Sequence, residues 1–346
     1  MSGAKLIEPL PAHRFDPAPL LAYLRDHLED FSGEARLLQF QGGQSNPTFL
    51  LETAAQKYVL RKKPPGQLLA SAHQINREYR IQQALRGTDV PIVPVRLYCA
   101  DAAIIGTEFY IMDFLPGRVF GDVLMPDLPP AERGAMQRDL FTTIGRLHRL
   151  AYGACGLADF GRPTGYVARQ LARWRGQYEA SQTEDVPAMT KLMAWLSAHV
   201  PERDESAIVH GDFRLGNMMV HPSDPRIIAV LDWELATLGH PLADLAYCCM
   251  PFHLPRIEGP LQGYGGLDLA AHLANEDDML ALYCRVTGRY EIADWKFFLG
   301  FAMFRSAAIA EGVYARALAG NAADTRGIAM HEVMKVMAQS GWEIVG

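Results

Sequence analysis

The stretch VHGDFRLGNMMVHPSDPRIIAVLD, residues 209–232, places a His, a Gly and an Asp in a row, an Asn five residues after that Asp, and a second Asp at the end of an apolar run. A Gly ahead of Asp212 lets its carboxylate project from a loop apex. There it can orient a hydroxyl and take its proton late in a transfer. Asn217 offers a neutral hard oxygen, a donor suited to Mg²⁺. The apolar run 227–231 reads as a buried strand, and Asp232 at its end is a second natural Mg²⁺ ligand. Phosphoryl transfer requires little covalent chemistry. It needs cations on the phosphates and a base to aim the nucleophile, and this hairpin-like unit supplies both sets.

A zinc site built from His210, Asp212 and His221 is the competing metal reading. The spacing lacks a usual zinc pattern and no cysteine joins it. His210 reads instead as a residue that packs the loop.

Composition narrows the classes around this core. The 346 residues fit one large or two ordinary domains. The hydrophobic share of 49% and the charged share of 21% are those of a globular chain with a sizeable core. With 39 acids against 33 bases, the net charge of −6 argues against a nucleic-acid partner. The opening MSGAKLIEPLPAHRFDP holds no signal-peptide stretch, and no run reaches the length of about 18 apolar residues that a membrane helix needs. A cytoplasmic protein with no membrane partner is expected. The five cysteines (Cys99, Cys155, Cys248, Cys249 and Cys284) form no CxxC pair and read as reduced thiols.

Along the chain, EARLLQF (34–40), TFLLET (48–53), KYVLRKK (57–63), PIVPVRLYC and EFYIMDF read as strands. Between the third and fourth, Leu68, Ala72, Ile75, Tyr79 and Leu85 recur at helical spacing, with Gly87 as a stop. The opening stretch looks like loop and short strands. From about 131 onward the pattern is mostly helical, with Met136, Leu140, Ile144 and Leu147 on one face and further helices near 165–181, 187–199, 267–287, 291–319 and 323–341. The expected fold class is α+β. It has a small antiparallel sheet with one main helix over 1–114 and a larger helical lobe over 115–346, hinged at 114–117. Clefts between lobes are favoured places for small-molecule sites.

HGDFRLGN followed by VLDWE resembles the catalytic core of the aminoglycoside phosphotransferase and choline kinase families, relatives of the protein kinases. GHPLADLAY (239–247) is similar to their next segment, in which Asp244 is usually structural and braces the catalytic loop. The resemblance implies a bilobal protein kinase-like fold, ATP and Mg²⁺ as cofactors, and a small hydroxylated molecule as acceptor. Asp212 is then the catalytic residue, with Asn217 and Asp232 as metal ligands. A protein kinase is disfavoured, since no Ala-Pro-Glu segment follows and about six residues separate Asp232 from Gly239.

The same resemblance implies where the nucleotide is held. Side chains alternate along VLRKK. Setting Val59 against adenine turns Arg61 inward and Lys62 outward, so Arg61 stands where the family usually has Lys. Lys62 is the fallback and Lys63 a solvated strand end. Glu78 on the first-lobe helix is the candidate partner of Arg61. QGGQSNPTF (41–49) lies where a phosphate-covering loop belongs, with Ser45 or Asn46 as donors. In YIMDFLPG (110–117) backbone groups near Asp113 and Leu115 would meet adenine, with Met112 and Phe114 as walls. The Arg61 departure favours an alternative, a catalytically weak nucleotide-binding or regulatory module.

The acceptor is less legible. Residues 267–346 carry ten acids against seven bases, thin for an aminoglycoside polycation. Trp174, Tyr178, Trp195, Trp295 and Tyr314 could cage a choline-type cation, or simply be core. GYVARQLARWRGQY (165–178) carries Arg169, Arg173 and Arg175 around Trp174, with Arg162 just upstream. That would suit an anionic acceptor, though a solvated face is the plainer reading. Together with YVLRKKPPG and SAHQINREY, this segment is similar to kinase-like domains fused to acyl-CoA dehydrogenases and to their free-standing bacterial relatives. That resemblance implies a hydroxyacyl-CoA-type acceptor and a functional link to an acyl-CoA dehydrogenase. No flavin-binding segment appears in this chain.

Overall fold

The computed structural model describes residues 5–41, 46–64, 74–256, 262–271, 273–319 and 327–346. They divide into two compact units. The first is Met1–Val119 with Cys155–Leu157 and Asn217–Ala236, and the second is the remainder. The first unit therefore runs five residues past 114 and also takes in the segment that carries Asn217 and Asp232.

The first unit is built on β1 (Leu6–Ile7), α1 (Pro17–His27), β2 (Ala35–Phe40), β3 (Thr48–Thr53), β4 (Lys57–Lys62), α2 (Ile75–Leu85), β5 (Val95–Cys99), α3 (Ala102–Ile105) and β6 (Phe109–Asp113). Its six strands pair antiparallel in the order β1-β2-β3-β4-β6-β5. Both faces of the sheet are covered, so the central strands are apolar on both sides. Phe49, Leu51, Tyr58, Leu60, Phe109 and Ile111 pack with Leu20 and Leu24 of α1. Leu50, Val59, Tyr110 and Met112 pack with Ile75 of α2 and with Met219 and Ala229.

The helix α1 corrects the expectation of loop at the start of the chain. Asp16 caps it by accepting the Ala18 N–H at 3.0 Å, and Pro17 opens it with a preset φ. Leu20 and Leu24, one turn apart, are fully buried. The first unit thus holds two eleven-residue helices, one on each face of the sheet. A ribbon of Met218–Val220 against Ile227–Val230 completes this unit, and Arg118 bonds Val220 in both directions at 2.8 Å. Gly117 permits that approach, because a Cβ there would meet Met219 Sδ at 2.6 Å.

The second unit holds α4 (Pro130–His148), α5 (Tyr166–Ser181), α6 (Pro187–Ala198), α7 (Pro241–His253), α8 (Glu276–Thr287), α9 (Trp295–Leu318) and α10 (Met330–Val345). Five of these lie near their expected places. The helix α8 begins nine residues later than expected, capped by Asn275, and α7 is an element the periodicity did not reveal. A short ribbon pairs Ala207–Val209 with Thr237–Gly239 and so leads into and out of the 210–236 stretch. The long helix α9 is the spine, packed by α5, α6, α7 and α10. By length and composition it is apolar enough to cross a membrane, yet 78% of its apolar window is buried in the protein, as a core helix would be. The five cysteines are unpaired, and three are buried.

Candidate active site

Strand alternation settles which basic residue of β4 faces the ribbon. Val59 and Arg61 share the face covered by α2, while Lys62 continues the Tyr58 and Leu60 face under α1. Arg61 Nε lies 3.0 Å from Glu78 Oε2, and Arg61 Nη2 donates to Asp232 Oδ1 at 3.0 Å. One buried guanidinium so bridges the helix acid and the ribbon acid. Glu78 is itself buried. Asn46 Nδ2 donates to its Oε1 at 2.6 Å and the Tyr110 hydroxyl to its Oε2 at 3.0 Å. Burial pushes the Glu78 carboxyl up to about 7, against the pull of Arg61.

Lys62 does not join this cluster. It is buried with its ammonium 5.4 Å from the Phe15 ring centre, and desolvation lowers its pKa. Asn46 fastens the Glu78 carboxylate from the strand β3 side. Ser45 lies outside the described residues. Asp113 spends its N–H on Pro94 O at 2.9 Å and its carboxylate on Arg96 Nε at 2.6 Å. Leu115 packs beside the cluster that contains Met112 and Ala229.

The ribbon carries the two expected metal donors at its open end. Leu231 N–H donates to Asn217 O at 2.8 Å, extending the ladder one step beyond Met218↔Val230. Asn217 and Asp232 therefore leave the same end of one ribbon. Asp232 has φ +63° and ψ +60°, a left-handed conformation that Asp tolerates better than most residues. An amide oxygen and a carboxylate from one ribbon end form a hard-oxygen donor set of the kind Mg²⁺ takes. Among the described residues no three His, Cys, Asp or Glu side chains gather for a metal, which leaves the zinc reading without a site. His221 Nδ1 instead accepts the Ser223 and Asp224 N–H groups.

In the second unit the loop that ends in Asp212 is held from beneath. Asp244 of α7 accepts the His210 N–H at 2.7 Å and the Gly211 N–H at 2.9 Å, and meets His148 Nε2 at 3.3 Å. Burial alone would raise the Asp244 carboxyl; His148 and the backbone donors outweigh it and hold the group below its usual value. Gly211 sits at φ +84°, a conformation that costs an L side chain. His210 is fully buried and takes the Asp212 N–H on Nδ1 at 3.2 Å, the packing role expected of it.

Three further residues touch this loop. Arg214 Nε lies 3.3 and 3.4 Å from the two Asp212 oxygens. The Tyr247 hydroxyl hydrogen-bonds Asp212, and burial, then the facing Asp212 charge, drive its pKa up. Arg305 of α9 donates to Gly211 O at 2.6 Å and lies 5.5 Å from both the Trp174 and the Tyr247 ring centres. None of the three was expected from the sequence. For Arg305 the signal was present, as a lone Arg inside the apolar run FFLGFAMFRSAAIA.

The basic face of α5 splits. Arg169 is tied to the carbonyls of Arg162 and Thr164, and Arg175 to Glu179. Arg173 stacks on Trp174 at 5.1 Å. The expected cage aromatics are engaged separately, Trp195 on His199 and Tyr314 on His331.

A two-faced antiparallel sheet with a buried Arg–Glu pair, a braced His-Gly-Asp loop and a following Asn and Asp define a kinase-like phosphotransferase fold. The chain belongs to the phosphotransferase enzyme family, whose model matches residues 36–279. It is 41% identical to human acyl-CoA dehydrogenase family member 11 over 345 residues. That match takes in 98% of this chain but 44% of the human one, so the chain spans less than half the length of that relative. A crystal structure from Ralstonia eutropha, assigned provisionally to the aminoglycoside phosphotransferases, is 44% identical with a TM-score of 0.88, covering 96% of this chain and 98% of that one. The streptomycin–ATP ternary complex of APH(2")-IIa shares the fold at 14% identity and a TM-score of 0.58, over 94% and 97% of the two chains.

Proposed function

We propose that the chain is an ATP- and Mg²⁺-dependent phosphotransferase that moves the γ-phosphoryl group to a hydroxyl of a small molecule. The observation that carries this reading is the Arg61 bridge to Glu78 and Asp232, beside a ribbon whose end presents Asn217. Arg61 would lie along the α- and β-phosphates, with Glu78 fixing its aim. Asn217 and Asp232 would hold Mg²⁺, which when bound neutralises phosphate oxygens. Asp212 aims the acceptor hydroxyl and takes its proton as the new O–P bond forms. The β–γ bridging P–O bond breaks and ADP leaves with its electron pair. The braced Gly211–Asp212 backbone keeps that carboxylate in register.

The names of the relatives favour a hydroxyacyl-CoA-type acceptor. The human chain is named for an acyl-CoA dehydrogenase and is more than twice as long as the segment matched here. In that reading the dehydrogenase name belongs to the remainder of the longer chain, and the phosphorylated hydroxyacyl compound passes to it. The other reading, a nucleotide-binding regulatory module, draws on Arg61 in place of Lys. The two are separated by ADP release against a panel of hydroxylated metabolites, with Asp212→Asn as control. Equal, acceptor-independent hydrolysis by both proteins would leave only the module.

A further inference from the structure

His148 and Tyr283, which lie behind the Asp244 brace, line a recess whose wall does not include Asp212. The recess encloses about 880 Å³, its open mouth included, and all of its lining belongs to the second unit. Arg149, Arg203 and Arg289 reach it, with Glu205 and Ser206 beside them. Glu205 serves two of these cations at once, Arg203 Nε at 3.1 Å and Arg289 through both of its Nη atoms. The other carboxylate of the lining, Glu291, is exposed. Ser206 Oγ is buried and finds no partner among the described residues. A buried hydroxyl in that state costs stability unless a ligand meets it.

From Arg289 a chain of hydrogen bonds runs to the Gly211–Asp212 loop. Arg289 bonds the Tyr283 hydroxyl. A guanidinium only donates, so the Tyr283 oxygen accepts, and its O–H is left for His148 Nδ1, 2.9 Å away. That places the His148 hydrogen on Nε2, which faces Asp244 Oδ2 at 3.3 Å. Asp244 in turn accepts the His210 and Gly211 N–H groups. The His148 and Asp244 side chains are each 1% exposed, so water does not make good a lost link between them.

We infer that this recess is a regulatory site for a small, multiply charged oxyanion, a phosphate or a polycarboxylate, and that filling it loosens the Gly211–Asp212 loop. Three arginines and the Ser206 hydroxyl supply the donors, and planar guanidinium forks match either kind of group. The anion takes Arg289 in a charge-assisted bond stronger than the one to a neutral phenol, so the Tyr283 link is the one given up. The Tyr283 O–H then turns from His148, and the brace loses the group that holds the His148 ring in register.

The probes are inorganic phosphate and citrate, titrated into the full chain by calorimetry, with ionic strength and free Mg²⁺ held constant. At least one should bind, and which of them binds tells phosphate from polycarboxylate. Arg149→Ala and Arg203→Ala remove exposed side chains, so both should fold, and each should weaken binding about tenfold. Ser206→Ala should weaken binding while leaving the thermal midpoint unchanged or higher, an opposition that a structural hydroxyl would not show. Hydrogen exchange of the His210 and Gly211 amides should quicken about fivefold or more when the anion is added, and turnover should fall with the nucleotide KM unmoved. Tyr283→Phe should bind the anion yet show fast exchange with or without it. Failure of both anions to bind, or equal binding by the wild type and both arginine variants, overturns the site. Binding that leaves the amide exchange unchanged overturns the coupling. Faster exchange with turnover unchanged or absent upholds the site and counts instead against Asp212 as the base, on which the turnover measurement alone rests.

Discussion

Arg61 Nη2 stands 3.0 Å from Asp232 Oδ1, across 171 positions of sequence, while its Nε stands 3.0 Å from Glu78 Oε2. One planar fork therefore spans two acids, which a lysine ammonium on a single stem cannot match. Arg61→Lys should fold but raise the nucleotide Kd. Arg61→Ala should lose about 3 kcal/mol of stability in urea unfolding, because Glu78 stays buried without its cation. Wild-type stability for Arg61→Ala would refute the pairing.

Glu78 sets a pH dependence whose sign is fixed. Burial raises its folded pKa from 4.5 to about 7, so the folded state holds this proton more tightly than the unfolded chain does. Its contribution to stability is fully present below 4.5 and is lost as pH rises to about 7. Nucleotide affinity should run the other way, since Arg61 is aimed by the ionised carboxylate and so binds better above that pH. Glu78→Gln should flatten both profiles. A stability profile between these limits that Glu78→Gln leaves unchanged would count against the assignment.

The proposed metal donors give a separate expectation. Asp232→Ala should weaken Mg²⁺-dependent nucleotide binding, and Asp212→Asn should spare binding while turnover falls by about 10²–10⁴. Calorimetry showing undiminished Mg²⁺–ATP binding by Asp232→Ala would remove that residue from the metal site.

How much of this was legible depended on whether the chemistry or the packing set the residue. The proposed site residues Asp212, Asn217 and Asp232 could be picked out because one ribbon and its entry loop keep them close in sequence. The strands were legible because Val59, Leu60 and Ile111 must be apolar to be buried. The helix α1 was missed although Asp16, Pro17, Leu20 and Leu24 spell a capped amphipathic start. Its four signals are spread among prolines that read as loop. The contacts of Tyr247 and Arg305 could not be read for another reason, although the lone Arg305 in its apolar run stood out. Their roles come from tertiary contacts of α7 and α9 with the Gly211–Asp212 loop, which no local pattern encodes.

The brace under the Gly211–Asp212 loop should act on turnover rather than on nucleotide binding, if Asp212 is the base proposed above. Asp244 uses one oxygen for Gly211 N–H and the other for His210 N–H and His148. Asn in its place keeps the volume but offers only one acceptor oxygen, which leaves a buried donor unsatisfied. Asp244→Asn should lower kcat and leave the nucleotide Kd within error. Gly211→Ala adds strain of about 1–2 kcal/mol at φ +84° and should do the same. An unchanged kcat in both variants would mean that the Asp212 carboxylate does not depend on this backbone.

Lys62 supplies the sharpest contrast with its neighbour. It is buried, its ammonium lies 5.4 Å from the Phe15 ring centre, and desolvation already disfavours its charge. A charge in that position is held at a cost which a methionine of similar length would not bear. Lys62→Met should therefore leave the protein as stable or more stable, and the nucleotide Kd should not move. Arg61→Met, one residue away on the opposite face, should lose both stability and affinity. Thermal midpoints and nucleotide titrations of the pair decide which strand residue serves the phosphates. A rise in Kd confined to Lys62→Met would return the role to Lys62 and dissolve the Arg61–Glu78–Asp232 assignment.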